Sequence, residues 1–304
     1  MSILLTGATG FVGSFISNNG SNDIRCVIRD NDRHKFKSIF TITNLDRKTK
    51  WQGAFSEVES VIHLAGLAHF NTFTSEEYHT VNVDGTLNLA YQAASAGVKR
   101  FVFVSSIGVN GTSTQNESYR FDSPECPHNA YAKSKHDAEL GLRKISIETG
   151  LEVVIVRPTL VYGPEAPGNF GMLTKLILKF PFLPFGLTEN KRDFIAVQNL
   201  ADLLITCAKH PDAGGHTFLA SDGETVSIKD FTNAIAIGLN KKLIQLPVPV
   251  SLMRFAARLV GKSAMAEQLL GNLQVDSSNA KEVLGWTPPY TMEQAMASLS
   301  ENKK

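Results

Sequence analysis

Continuous apolar runs alternate with amphipathic stretches through the first half of the chain. The runs are Ile3–Leu5, Ile24–Ile28, Val61–Leu64, Phe101–Val104 and Val153–Val156. They are rich in Val, Ile and Phe and are not interleaved with polar residues. Strands covered on both faces of a parallel sheet have this pattern. Between them, Phe11–Ser17, Val83–Ala96 and Tyr131–Glu148 read as helices. Strand–helix alternation predicts an α/β fold, a doubly wound parallel sheet with right-handed crossovers. After about Tyr162 the pattern breaks: Pro164, Pro167, Pro181 and Pro184 punctuate the chain, and apolar runs become short. This divides the chain into a first domain over 1–162, to which some later segments return, and a smaller C-terminal lobe over 163–304.

Composition narrows the function classes. The 304 residues are 43% hydrophobic and 19% charged, with a formal net charge of +1, a globular chain with ample core material. So even a balance argues against a nucleic-acid partner and against attraction to acidic membranes by an overall field. An anionic ligand must be held by a few local groups. Cys26, Cys126 and Cys207 are far apart and odd in number, which points to reduced thiols rather than a disulfide framework or zinc cluster. Met172–Leu187 is interrupted by Lys175, Lys179, Pro181 and Pro184, too broken for membrane insertion. The N-terminus enters an apolar strand at once, with no basic region or cleavage site, so no signal peptide is expected. His63, His69, His79 and His216 show no metal spacing, and no metal site is expected.

The first candidate site is the turn Thr6-Gly7-Ala8-Thr9-Gly10-Phe11-Val12-Gly13, between the first strand and the first helix. Gly7 permits a tight turn, Gly10 lets the backbone approach a pyrophosphate, and Gly13 lets helix pack on strand. The helix N-terminus then directs free N–H groups at the phosphates. The fold expected is therefore Rossmann-type. A second site is Tyr131-Ala132-Lys133-Ser134-Lys135. Tyr131 and Lys135, four apart, share a helical face, and an ammonium there lowers a tyrosine's pKa toward use as a general acid or base. The strand Phe101–Val104 ends in Ser105-Ser106, at the sheet edge where open α/β folds bind ligands. Ser106 is the candidate to hydrogen-bond a substrate oxygen, and Ser105 a turn or cap residue.

The second strand ends in Arg25-Cys26-Val27-Ile28-Arg29-Asp30. The residue at this end meets the adenosine ribose. An acid bonds the ribose hydroxyls, whereas an arginine accepts a 2′-phosphate. Arg29, with Arg33 nearby, favours NADP(H). The alternative is NAD(H), with Arg29 stacked on adenine and Asp30 on the ribose.

TGATGFVG, the His63–Gly66 HLAG, Asn82 in TVNVDGT, the serine strand end and YAKSK together resemble the extended short-chain dehydrogenase/reductase superfamily. Ser106 and Tyr131 lie 25 positions apart, as in that branch. RPTLVYGP (Arg157–Pro164), KRDFIAVQNLAD (Lys191–Asp202) and LGWTP (Leu284–Pro288) resemble its NAD-dependent epimerase/dehydratase family, which includes UDP-sugar 4-epimerases and 4-keto-sugar reductases. The likeness runs nearly end to end. It implies that Ser106, Tyr131 and Lys135 are catalytic. Tyr131 exchanges a proton with the sugar oxygen, Ser106 orients that oxygen, and Lys135 holds the nicotinamide ribose. It assigns the cofactor to Gly7, Thr9, Gly10, Phe11, Val12, Gly13, Arg29, Asp46, Leu64, Ala65, Gly66, Asn82, Tyr131, Lys135 and Pro158. Asp46 is the residue that touches the adenine amine. A UDP-sugar substrate is assigned to Ser106, Tyr131, Asn169 and Arg192, with Arg192 on the diphosphate. One departure is that Ala264–Leu273 contains no arginine, where many 4-epimerases carry a second phosphate-binding one.

The resemblance further implies a cytoplasmic homodimer paired through the Val83–Ala96 and Tyr131–Glu148 helices. Because the Arg29 strand end resembles NADPH-dependent reductases, the favoured reading is an NADPH-dependent reductase of a UDP-linked 4-keto-6-deoxy (N-acetyl) sugar. The alternative is a UDP-glucose or UDP-N-acetylglucosamine 4-epimerase with tightly bound NAD. A reading from another class is a non-catalytic dinucleotide-binding sensor, against which the complete Ser106, Tyr131 and Lys135 set argues. A 4,6-dehydratase is set aside. Ile107 and Gly108 stand where that chemistry places its acid/base pair.

Overall fold

The computed structural model describes residues 2–19, 23–30, 36–68 and 73–301. Its strands, in chain order, are β1 (Ser2–Thr6), β2 (Ile24–Arg29), β3 (Ile39–Ile42), β4 (Val58–His63), β5 (Arg100–Val104), β6 (Glu152–Pro158), β7 (Leu160–Tyr162), β8 (Phe182–Leu183), β9 (Arg192–Ala196), β10 (Thr217–Ala220), β11 (Thr225–Val226) and β12 (Ile244–Gln245). The α-helices are α1 (Phe11–Asn19), α2 (Ser75–Tyr78), α3 (Thr86–Ser95), α4 (Ala130–Thr149), α5 (Gly168–Lys179), α6 (Val197–Lys209), α7 (Ile228–Gly238), α8 (Val250–Leu259), α9 (Ser263–Leu270), α10 (Ser278–Leu284) and α11 (Met292–Glu301).

Seven strands form one parallel sheet in the order β10-β6-β5-β4-β1-β2-β3. The chain builds outward from β1 through β2 to β3, then returns to place β4 on the other side of β1. Thr6 and His63 are the last register partners of β1 and β4. The strand order reverses there, and the crossovers leave to opposite sides, which opens a ligand crevice at the carboxyl ends. The predicted runs correspond to β1, β2, β4, β5 and β6. β3 escapes a search for continuous runs because it is an edge strand: of its four residues only Ile42 is buried.

Successive strand residues point to opposite faces, and the core divides accordingly. Leu5, Ile62, Val102 and Val154 pack under α6, with Leu200, Leu203 and Leu204. Leu4, Val61, Phe101 and Val153 pack under α3 and α4, with Leu89, Leu142 and Ile145. A third core joins α5, α7 and α11 around Tyr162, Phe170, Phe194 and Phe231, with the Phe194 and Phe231 rings stacked 3.7 Å apart. Two small sheets, β11-β9-β7 and β12-β8, accompany it. β10 and α6, although late in the chain, belong to the large sheet and its cover.

The helix expected from Val83 begins earlier and is irregular. Thr74 and Glu77 form a reciprocal capping box that starts α2. Residues His79–Gly85 then continue as a π-helix into α3. The polar run EEYHT conceals this start from an apolar periodicity. Among the described residues, no helix is long and apolar enough to cross a membrane.

Candidate active site

The glycine turn closes where β1 meets β4. Gly7 has φ of +69°, and a Cβ there would stand 2.8 Å from the Ala65 nitrogen. A Cβ on Gly13 would stand 2.0 Å from the Gly7 carbonyl oxygen, so α1 starts only where no side chain intervenes. Phe11 and Val12 open α1 with their side chains packed into the cores, which leaves their backbone N–H groups for a phosphate. Beside this turn lies a cavity of about 600 Å³. Gly7, Thr9 and Gly10 line it from the turn, Leu64, Ala65 and Gly66 from the exit of β4, Arg29 from the last position of β2, and Asp46 from beyond β3. A glycine cradle at a helix start, opening on a cavity at the sheet's reversal point, fits a dinucleotide. Gly13→Ala is expected to cost about 1–3 kcal/mol of stability and to abolish retention of the dinucleotide. Chemical denaturation and the cofactor absorbance of purified protein measure the two effects.

Arg29 is exposed and lines that cavity. Asp30 instead accepts a hydrogen bond from Thr43 Oγ1 at 2.7 Å, while its backbone N–H donates to Ile42 O at 3.2 Å. Arg33 and His69 lie outside the described residues. His63 is fully buried at the end of β4, with Nδ1 hydrogen-bonded to Thr6 Oγ1 at 2.6 Å and Nε2 to Thr86 Oγ1 at 2.9 Å. Burial, with the nearby Lys135 charge, pushes it down to about 3. It is a neutral structural tie between β1, β4 and α3.

Ser106, Tyr131 and Lys135 meet at the carboxyl end of β5. Asn129 caps α4 by accepting Ala132 N–H at 2.7 Å, which sets Tyr131 on the first turn and Lys135 on the next. The Ser106 hydroxyl hydrogen-bonds the Tyr131 phenol and accepts Gly108 N–H at 3.1 Å. Lys135 Nζ donates to Val104 O at 2.9 Å and lies 4.7 Å over the Phe103 ring. Tyr78 packs its ring 6.1 Å from that of Tyr131. Two expectations change here. Ser106, not Ser105, caps the turn after β5. Tyr131 is not drawn down by Lys135: burial pushes it up to about 12, against the Ser106 hydrogen bond, and burial pushes Lys135 down to about 8. Desolvation outweighs the pairing that sequence spacing suggests.

Asn82 sits in the π-helix, 1% exposed. Its Oδ1 accepts Leu67 N–H at 2.8 Å, and its Nδ2 donates to Leu67 O at 3.0 Å and Ser134 Oγ at 2.9 Å. Both amide protons are engaged, so Asn82 acts as a brace between the β4 exit and α4. Pro158 is buried at the end of β6, beside Ala220.

Behind the triad is a buried ionic network that sequence reasoning did not find. Arg157 is 0% exposed and Glu139 1%. Arg157 donates to Glu139 through Nε at 3.0 Å and Nη2 at 2.5 Å, to Asn110 Oδ1 at 3.1 Å and to Glu125 Oε1 at 2.7 Å. Ser105 Oγ donates to Glu139 Oε1 at 2.5 Å. Glu125, His136 and Glu139 come close enough to hold a cation, but both carboxylates are already engaged by Arg157. The signal was present in YAKSKHDAE: Glu139 follows Lys135 by one turn on the same face.

The two substrate candidates are tied to α9. Asn169, in the first turn of α5, donates to Gln268 Oε1 at 3.3 Å. Arg192 is 7% exposed, and its Nη1 donates to Gly271 O at 2.9 Å. Burial lowers it to about 10, and it remains charged at neutral pH.

The chain is similar to known proteins in sequence and in fold. Residues 3–225 match the family described as NAD dependent epimerase/dehydratase family. A UDP-glucose 4-epimerase of Vibrio cholerae is 38% identical over 310 residues, covering 99% of this chain and 94% of its own. An N-acetyl-alpha-D-glucosaminyl-diphospho-ditrans,octacis-undecaprenol 4-epimerase of Escherichia coli O157:H7 is 26% identical, covering 97% and 92%. In fold, the crystal structure of a UDP-N-acetylglucosamine 4-epimerase from Bacillus cereus superposes with a TM-score of 0.80 at 20% identity, covering 99% of both chains.

Proposed function

Because the chain belongs to the NAD-dependent epimerase/dehydratase family, we propose that it is a 4-epimerase of UDP-linked hexoses with NAD(H) as a resident cofactor. The observation that carries this is the 38% identity, end to end, to the Vibrio cholerae UDP-glucose 4-epimerase. It favours epimerisation over the reductase that the Arg29 strand end suggests. The two reactions use the same triad, so only how the hydride is disposed of separates them.

When bound, the nicotinamide dinucleotide accepts and returns a hydride and, oxidised, adds a positive charge beside the substrate. The glycine turn and α1 would hold its pyrophosphate, and Arg29 and Asp46, which line the same cavity, would flank its adenosine. Tyr131, held as a neutral phenol by burial, needs that further cation to act as a base. It would then take the proton of the C4 hydroxyl as hydride leaves C4, and return that proton to the same oxygen once the ketone has turned over and taken the hydride back on its other face. Ser106 steadies the same oxygen. Lys135, one turn on along α4, would hold the nicotinamide ribose. Arg192 and Asn169 take the substrate diphosphate. Arg192 has five N–H donors in a fork that suits phosphate oxygens. α3 and α4 pack side by side, with Tyr91, Leu140 and Ile147 outward and exposed. A homodimer through these helices belongs to the same proposal.

One observation favours the second reading. Arg29 lines the cavity while Asp30 is held by Thr43, an arrangement that accepts a 2′-phosphate. The experiment that decides is to supply purified protein with UDP-galactose and no added cofactor. Expected are UDP-glucose, and NAD(H) released on denaturation. Stoichiometric oxidation of NADPH by a 4-keto-6-deoxy UDP-sugar, without interconversion, overturns the epimerase in favour of the reductase.

A further inference from the structure

Residues 241–262 read KKLIQLPVPVSLMRFAARLVGK. They hold five cations, Lys241, Lys242, Arg254, Arg258 and Lys262, and no acid, in a chain whose net charge is only +1. Helix α8 runs through this stretch, and none of its residues is buried. Its inner side, Val250 and Met253, packs on the lobe core. Its outer side carries Leu252, Phe255 and Leu259, spaced as one helical stripe. These are 54%, 59% and 72% exposed, and Val260 beyond them is 68% exposed. Arg254 and Arg258, one turn apart, edge the stripe. Arg254 is paired with Glu267 at 2.8 Å. The strand that leads into α8 adds to the apolar surface: Ile244 and its register partner Phe182 are both exposed.

A helix apolar on two sides, with one side already packed, leaves the other for a partner. A second copy of this chain fits poorly. A two-fold interface sets the same patch against itself, and here it would oppose two clusters of like charge. An anionic lipid surface fits both features. An amphipathic helix rich in Lys and Arg, with Leu and Phe on its apolar side, lies in the plane of a bilayer interface, and anionic headgroups attract the flanking cations.

We propose that α8 docks this protein peripherally on anionic lipid surfaces. Leu252, Phe255, Leu259 and Val260 enter the boundary between headgroups and acyl chains. Arg258, Lys262, Lys241 and Lys242 meet the headgroups. The near-neutral net charge confines this attraction to one face. α8 packs on α9, whose Gln268 reaches Asn169, so the docked face adjoins the substrate side.

The test is sedimentation of purified full-length protein with vesicles of phosphatidylcholine alone, or of equal parts phosphatidylcholine and phosphatidylglycerol. The protein is expected to pellet with the mixed vesicles only, and to be released by salt. Leu252→Ser/Phe255→Ser/Leu259→Ser should lower the bound fraction at least about tenfold, and Arg258→Glu/Lys262→Glu comparably. All five side chains are exposed, so both variants should melt as the parent does and keep its interconversion rate. Absence of pelleting with mixed vesicles, or undiminished pelleting of the stripe variant, overturns the proposal. So does conversion of a dimer to monomer by the stripe variant without loss of vesicle binding, which would make the stripe a contact between copies.

Discussion

Tyr131→Phe yields a folded protein that retains its dinucleotide and loses about 10³ in turnover. The phenyl ring keeps the contact with Tyr78, 6.1 Å between centroids, so packing changes little. What disappears is the oxygen proposed to exchange a proton with the sugar. Its neighbours cannot replace it. The Lys135 ammonium is already donating to Val104 O. The Ser106 hydroxyl is a poor acid and base and is already bonded by Gly108 N–H. Steady-state interconversion rates, with the absorbance of the retained cofactor as a binding control, measure the effect. The loss should fall on kcat, because the phenol acts in the transition state rather than in uniform binding. Full activity in the Phe variant would falsify the assignment of Tyr131, whether the reaction is epimerisation or reduction.

What the sequence records well is local. The Gly7, Gly10 and Gly13 spacing and the one-turn separation of Tyr131 and Lys135 are written within a few residues. So are the buried runs that became β1, β2, β4, β5 and β6. What it conceals depends on distant partners. That Asn82 is a brace follows from Leu67 and Ser134, which only folding brings to it. The raised phenol of Tyr131 follows from its desolvation in the folded chain, and no spacing encodes that. Ser105 and Ser106 are adjacent and chemically alike. Glu139, from α4, is what separates their roles. Net charge hid α8, since five cations in one segment are balanced by acids elsewhere. Reductase and epimerase share a triad, and the single local discriminator, Arg29, points one way while overall similarity points the other.

Glu139→Gln is expected to cost about 3–5 kcal/mol of stability, the usual penalty for breaking one side of a buried ion pair, and to lower Tm by roughly 10 °C. It leaves the Arg157 guanidinium, 0% exposed, with only Glu125 for charge. Replacing both partners by Leu should cost less than the sum of the two single changes, because no buried charge is then left unpaired. A second effect separates this role from mere packing. Burial holds Lys135 down to about 8, and the Glu139 charge opposes that depression. Removing the charge disfavours the ammonium, so the Lys135 pKa falls further. The limb of the kcat/KM profile that reports loss of the Lys135 proton should therefore move to lower pH. A purely structural loss would reduce the amplitude of that profile and leave its limbs in place. Thermal melts and pH–rate profiles of Glu139→Gln, with the double Leu variant as control, distinguish the two. An unmoved limb with a lowered Tm would reduce Glu139 to a packing residue. A shifted limb makes it the group that keeps Lys135 charged at the pH where Tyr131 must work.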